Sequence, residues 1–355
     1  MPDLTPIEHH HVAIVGAGPI GLELAVALKD AEVDYIQFDA GQIGSTIGWY
    51  PLEMPFHSSS ERLAIAGVPI QVADQQKAKR EEYLAYLRAV VMQFALEVHT
   101  YERVSGIRRL DDGSFEIDTA TTAGERTYRC EAVVIAIGSM HAPRLLGIPG
   151  EDSPHVSHYF RDPHTYFGKK LLVVGGRNSA VETAVRCQRA GAQVTLSYRR
   201  NDFDAARVKF WLLPEIRSML RDERMKFLPK TVPLEIRGRS VLLAKTDDNG
   251  AVAPDSEISE VSADFVLLMT GYRQDTTLFS MLGVARVGID QEPDYNPDTM
   301  ETNVPNVYVA GTAVSGTPQG KVRVIVETCH VHTPRIVAAI TGRRVESAAQ
   351  LREDD

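Results

Sequence analysis

Gly16, Gly18 and Gly21 stand in GxGxxG spacing within VAIVGAGPIGLELA, and the chemistry this spacing serves is the binding of a pyrophosphate. The first glycine permits a tight turn, the second lets phosphate oxygens approach the backbone, and the third lets a helix lie close to a sheet. A second stretch, LLVVGGRNSAVETA, repeats the grammar with Gly175 first, Arg177 in the middle and Ala180 third. Alanine is nearly as small as glycine; arginine is not, so the glycine logic is only partly kept. Arg177 reads either as an addition to a phosphate site or as a surface residue.

Such turns work only if strands and helices hold them. HVAIV is short, apolar and rich in β-branched residues, which predicts a buried parallel strand ending at Gly16. The helix predicted from Pro19 to about Lys29 aims unpaired N–H groups and its positive dipole end at the phosphates. DYIQF predicts a second strand closing on Asp39, 18 positions after Gly21, where a carboxylate accepts hydrogen bonds from ribose hydroxyls. In the second copy, KKLLVVGG predicts a strand, SAVETAVRCQRAGA a helix ending near Gly191, and QVTLSY the next strand. That strand runs into Arg199 and Arg200, with Arg207 shortly after. Guanidinium groups there would bind a 2′-phosphate bidentately, so NADPH is expected over NADH; the alternative is a solvated strand end. Two unlike dinucleotides in one chain point to a hydride relay from nicotinamide to a flavin.

Elsewhere, REEYLAYLRAVVMQFAL places Tyr83, Leu84, Leu87, Val90, Val91 and Phe94 on one helical face, read as core. EVHTYERV is read as a strand, and GIRRLDDGSFEIDTA as a hairpin turning at Asp111–Asp112–Gly113. CEAVVIAIGS is a buried strand ending in Gly138, and the Pro/Gly-rich APRLLGIPGEDSP reads as a domain link. NVYVAGTAVSG is one more strand-to-glycine turn, and VRVIVETCHVHTPRIVAAITG a closing helical segment bent or divided by Pro334. The fold expected is α/β, with two Rossmann-like dinucleotide-binding domains. The FAD-binding domain is discontinuous (1–150 and 283–345), the NADPH-binding domain (151–282) is inserted in it, and 346–355 forms a flexible tail.

At 355 residues the chain is too long for one ordinary core. A net charge of −9 without a basic run excludes a nucleic-acid footprint for the whole chain, so any anion site must be a local cluster. No apolar signal core precedes the first strand, and the most span-like stretch is cut by glycines and Pro19, so neither a leader nor a membrane partner is expected. The three cysteines, Cys130, Cys187 and Cys329, are far apart, and no CxxC, HxxxH or HExxH pattern occurs. This usage argues against a disulfide scaffold or metal site and fits a reducing cytoplasm.

Taken together, GAGPIG, WYPLEMPFHSSSERLAIAGVPI (49–70), GGRNSAVE (175–182), VKFWLLPEI (208–216) and VYVAGT (307–312) resemble the two-dinucleotide flavoproteins that include thioredoxin reductases. Within that group the chain is most similar, over nearly its whole length, to the YpdA-like bacillithiol-disulfide reductase family. The resemblance implies FAD at the first site, NADPH at the second, and electrons passing to a low-molecular-weight disulfide. By position, Gly16, Gly18, Pro19, Gly21 and Asp39 would hold the FAD pyrophosphate and ribose, and Val104 would meet the adenine. Thr46 and Tyr50 would lie along the flavin, with Gly138, Gly311 and Thr312 completing that site. Gly175, Gly176, Asn178, Ser179, Arg199 and Arg200 would hold NADPH, with Lys209 either assisting or supporting the fold. Homodimers are frequent in the family.

Departures from the family pattern concern the acceptor. The redox CxxC of thioredoxin reductases is missing, Ile20 occupies a position where the YpdA-like family often has cysteine, and Thr312 stands where many flavoproteins place aspartate. Cys329, in ETCHVH beside His330 and His332, is the remaining candidate nucleophile; its other reading is a buried inert thiol. A ferredoxin–NADP reductase-like enzyme acting on a small redox protein, a flavin monooxygenase, and a slow FAD/NADPH redox sensor remain alternatives.

Overall fold

The computed structural model describes residues 7–319 and 324–343. The chain divides into two compact units, one made of Met1–Trp49, Glu53–Ala142 and Tyr272–Asp355, the other of Tyr50–Leu52 and Pro143–Gly271. The tail expected at 346–355 lies outside the described residues.

In the first unit the apolar HVAIV run forms the end of strand Glu8–Val15, in which Val12, Ala13 and Ile14 are fully buried. This strand is flanked by parallel Tyr35–Asp39 on one side and by Gly124–Ile135 on the other. Val307–Val309 adds in parallel to Val133–Ile135, although it lies far along the chain. The sheet continues as an antiparallel hairpin, Arg103–Arg109 and Phe115–Thr121, whose turn uses Gly113 at φ +88. EVHTYERV is broken into His99–Thr100 and Arg103–Arg109 by Tyr101, which takes a left-handed φ of 56.

Helix Pro19–Asp30 begins with its proline in the first turn, where no intrahelical N–H is required. It buries Ile20, Leu22, Leu24, Ala25, Val26 and Leu28. Helix Arg80–Gln93 buries Tyr83, Leu87 and Val90 as expected, and also Tyr86, whose hydroxyl donates to the Ile65 and Val68 carbonyls.

The closing segment differs from the expected bent helix. Residues 326–328 form a single 3₁₀ turn, and the α-helix runs only over His332–Thr341. Pro334 therefore falls in the first turn, the helical position that tolerates it, rather than dividing a longer helix.

The second unit is built on a five-stranded parallel sheet in the order Lys226–Pro229, Gln193–Tyr198, Lys170–Val174, Phe265–Leu268, Val156–Ser157. Chain order reverses between Lys170–Val174 and Phe265–Leu268, which opens the crevice where such sheets bind ligands. Helix Asn178–Arg189 covers one face with Ala180, Val181, Ala184, Val185 and Cys187 in the core beneath. An antiparallel meander, Thr231–Arg237, Ser240–Lys245 and Ile258–Ser262, packs Ile236, Val241 and Leu243 against the opposite face.

Candidate functional site

Three parallel strands of the first unit end side by side, and each runs into a glycine in the left-handed region: Gly16 (φ +118), Gly138 (φ +74) and Gly311 (φ +66). Gly16 is required twice over, because a Cβ there would stand 2.4 Å from the Ala136 carbonyl oxygen. At Gly21 a Cβ would meet the Gly16 carbonyl oxygen at 2.2 Å, so this glycine brings the helix down onto the turn. Gly18 is different. Its φ of −76 and ψ of −179 are open to any residue, and a Cβ would touch nothing within 4 Å. What glycine provides here is open space over the turn, beside a helix N-terminus with no side-chain cap.

The turn is braced from outside. Gln37, fully buried, donates its amide to the Gly16 carbonyl at 2.9 Å. The Asp39 carboxylate accepts from the Ala17 N–H and the Gly41 N–H, each at 2.8 Å. Gly44 N–H bonds the Ala17 carbonyl at 2.9 Å, which ties the segment carrying Thr46 to the same turn. Val104 is brought to this corner because Glu102 N–H bonds the Asp39 carbonyl at 3.0 Å. On the far side, a Cβ on Gly138 would lie 3.5 Å from the Thr312 hydroxyl, and one on Gly311 3.3 Å from Ile20 Cβ. Gly16, Gly18, Pro19, Gly21, Asp39, Thr46, Val104, Gly138, Gly311 and Thr312 thus belong to one unit, whereas Tyr50 groups with the other. The space over Gly18, the uncapped helix and the nearby carboxylate fit the pyrophosphate and ribose of a dinucleotide.

Two residues have supporting roles here that no motif in the sequence indicates. Gln274 is buried and its amide nitrogen donates to the Gly138 and Ala313 carbonyls at 3.0 and 2.7 Å. His332 Nδ1 accepts the Gly311 N–H at 3.1 Å, and burial above all, with Arg335 and His330 nearby, lowers its pKa to about 4. It is a neutral acceptor holding the third glycine turn. These contacts join residues 21 to 136 positions apart, so no local pattern announces them.

In the second unit, Gly175 (φ +140) has no room for a Cβ, which would stand 2.6 Å from the Met269 carbonyl oxygen and 2.9 Å from Ala180 Cβ. Gly176 is packed under the Tyr198 ring, which a Cβ would meet at 2.5 Å. Asn178 opens the helix and accepts the Lys209 N–H on its side-chain oxygen at 2.8 Å, and Ser179 beside it is exposed. Lys209 Nζ lies over the Trp211 ring, 5.8 Å from its centroid. Arg199 and Arg200 follow strand Gln193–Tyr198 directly. Arg177 pKa is held below its usual value, first by burial, then by Arg207 and Arg144, with Arg199 adding to the effect. Cations therefore gather around this turn in a chain of net charge −9, as an anion site needs.

Cys329 is fully buried, and its thiol donates to the Ile325 carbonyl at 3.1 Å. Burial pushes its pKa up to about 12, as it does for Cys130 and Cys187. His330 turns to other partners, with Nδ1 2.9 Å from Glu23 and Nε2 2.9 Å from the Arg62 carbonyl. The arrangement makes Cys329 a packed thiol with no thiolate at neutral pH, against the nucleophile reading.

Residues 13–311 match the model of the pyridine nucleotide-disulphide oxidoreductase family. The chain belongs to that family; it is a flavin oxidoreductase that works with FAD and NADPH, and its fold is that of thioredoxin reductases. It is 33% identical over 335 residues to the bacilliredoxin reductase Bdr of Bacillus subtilis, covering 93% of this chain and 97% of the relative. Over 306 residues it is 31% identical to a ferredoxin–NADP reductase of Ignicoccus hospitalis, covering 84% of this chain and 88% of the relative. The bacillithiol disulfide reductase Bdr (YpdA) of Bacillus cereus superposes with a TM-score of 0.87 at 30% identity, over 95% of this chain and 100% of that one.

Proposed function

We propose that the first unit holds FAD, the second holds NADPH, and the enzyme delivers the electrons to a small disulfide, with NADPH, H⁺ and RSSR giving NADP⁺ and two RSH. The observation that carries this reading is the contrast between two otherwise equivalent turns, one backed by the Asp39 carboxylate and the other ringed by arginines. A carboxylate suits ribose hydroxyls and a guanidinium cluster suits a 2′-phosphate. When bound, FAD supplies the chemistry of accepting hydride and passing electrons on.

The chain's own residues bind and orient. Gly18 leaves room for the FAD pyrophosphate over the helix N-terminus, and Gly21 sets the helix at the distance that makes this possible. Asp39 receives the adenosine ribose while fixing the turn, and Thr46, Gly138, Gly311 and Thr312 line the flavin-bearing end. Arg199, Arg200 and Arg207 take the 2′-phosphate of NADPH. No pair of cysteines mediates the last step: the three thiols are buried and unpaired, and Ile20 faces Gly311 in the first glycine turn. The acceptor therefore takes electrons without a protein disulfide relay.

A small disulfide is favoured over ferredoxin because the structure named for bacillithiol disulfide reduction covers 95% of this chain, against 84% for the ferredoxin–NADP reductase. Cytoplasmic residence and a homodimer complete the reading; among the described residues no helix is long and apolar enough to cross a membrane. The purified protein, given NADPH under anaerobic conditions, is expected to consume it with bacillithiol disulfide. Consumption with ferredoxin alone would replace this acceptor with a protein one.

A further inference from the structure

Position two of the glycine motif is the place where the two turns diverge, and the backbone shows what the divergence does. Gly18 has φ −76 and ψ −179, and Arg177 has φ −105 and ψ −175, so both are extended residues at the N-cap of a 12-residue helix. Neither conformation requires glycine. The Cβ direction at Gly18 leads into open space above the turn. By equivalence, the Arg177 side chain leaves the backbone toward the place where a pyrophosphate would meet a glycine.

Arg144 lies near enough to Arg177 to act on its charge, and its backbone is fixed at the end of the next strand. Its N–H bonds the Gly271 carbonyl at 2.9 Å, and its carbonyl accepts the Thr270 hydroxyl at 2.8 Å. The stem lies along Gly271 (φ +95), where a Cβ would stand 3.8 Å from Arg144 Cδ and Nε. Thr270 and Gly271 directly follow strand Phe265–Leu268, the neighbour of Lys170–Val174 across the topological reversal. Three adjacent strands therefore end beside cations: Arg199 and Arg200 after Gln193–Tyr198, Arg177 after Lys170–Val174, Arg144 beside the end of Phe265–Leu268. In a sheet of this topology the adenosine lies over the second strand, the bridging phosphates over the first turn, and the far half of the dinucleotide beyond the reversal.

We infer that Arg177 and Arg144 clamp the pyrophosphate of the dinucleotide, Arg177 supplying by guanidinium what the missing glycine supplies by backbone. This assignment rests on the reading of the second unit as the NADPH site. It separates two functions within one cationic row. Arg199, Arg200 and Arg207 read the 2′-phosphate and so choose between NADPH and NADH, whereas Arg177 and Arg144 grip what both nucleotides share. Burial, and then the like charge around it, lowers the Arg177 pKa, and the repulsion among the guanidiniums is relieved when phosphate oxygens enter between them.

Equilibrium binding of NADP⁺ and of NAD⁺ to the full chain, by calorimetry, distinguishes the two functions. Arg177→Gln and Arg144→Gln are each expected to weaken both nucleotides by a similar factor, about tenfold, leaving the NADP⁺/NAD⁺ ratio as in the parent. Arg199→Gln is expected to weaken NADP⁺ and spare NAD⁺. An unchanged melting temperature in each variant separates lost contact from lost fold. If Arg177→Gln and Arg144→Gln bind as the parent does, or lose NADP⁺ alone, the clamp is overturned while the NADPH site stands. A parent protein that binds neither nucleotide would overturn both.

Discussion

At the scale of single residues, burial sets what the cysteines and histidines can do. Cys329→Ser removes a buried thiol that donates one hydrogen bond, so the variant is expected to retain NADPH-driven disulfide reduction within about twofold, measured by NADPH absorbance. A loss of several orders of magnitude would restore the nucleophile role. His332 carries a different expectation. Its folded pKa, about 4, lies below the ordinary value of 6.5, so between these pH values the unfolded chain binds the extra proton and the native one does not. Its contribution is complete above about pH 6.5 and is lost as pH falls toward 4, roughly 3 kcal/mol at most. His332→Gln should flatten the slope of melting temperature against pH in that window; an unaltered slope would place the titration elsewhere.

Elements show why much of this site could be read from the chain and why some could not. Strand, glycine turn and helix are contiguous, so VAIVGAGPIGLELA and LLVVGGRNSAVETA disclose both turns by themselves. The hairpin at Gly113 was legible for the same reason. By contrast, Gln274 reaches Gly138 and Ala313, and His332 reaches Gly311, through contacts that only the assembled sheet creates. The closing segment misled because apolar residues around Val326 resemble helix periodicity, while Pro334 fits only a helix that starts two residues before it. Gly176, which the family resemblance gives to NADPH, also has a packing duty under the Tyr198 ring. Gly21→Ala sets a methyl against the Gly16 carbonyl and must push the helix off the turn. It is expected to destabilise by about 1–3 kcal/mol and to lower FAD content, read from thermal unfolding and the visible spectrum of the purified protein. Full FAD content at parental stability would show that the turn tolerates the shift.

Across the whole molecule, the overall charge and the local charge oppose one another. A net −9 repels an anionic nucleotide at long range, while the arginines around Arg177 attract it at short range. The short-range part dominates once the nucleotide is seated, so raising ionic strength should weaken NADPH severalfold and NADH less, in proportion to the phosphates each presents. Each unit is built on its own sheet, and the discontinuity of the first unit lets Val307–Val309 complete a sheet begun at Glu8.

The most direct test is an anaerobic titration of the purified flavoprotein followed by its visible spectrum, with NADPH and NADH added separately. Flavin absorbance should bleach with NADPH at concentrations well below those needed for NADH, and Arg199→Gln should bring the two curves together. A protein that carries no flavin and cannot be reconstituted with FAD, or one that NADPH leaves unbleached, would contradict the two-nucleotide relay.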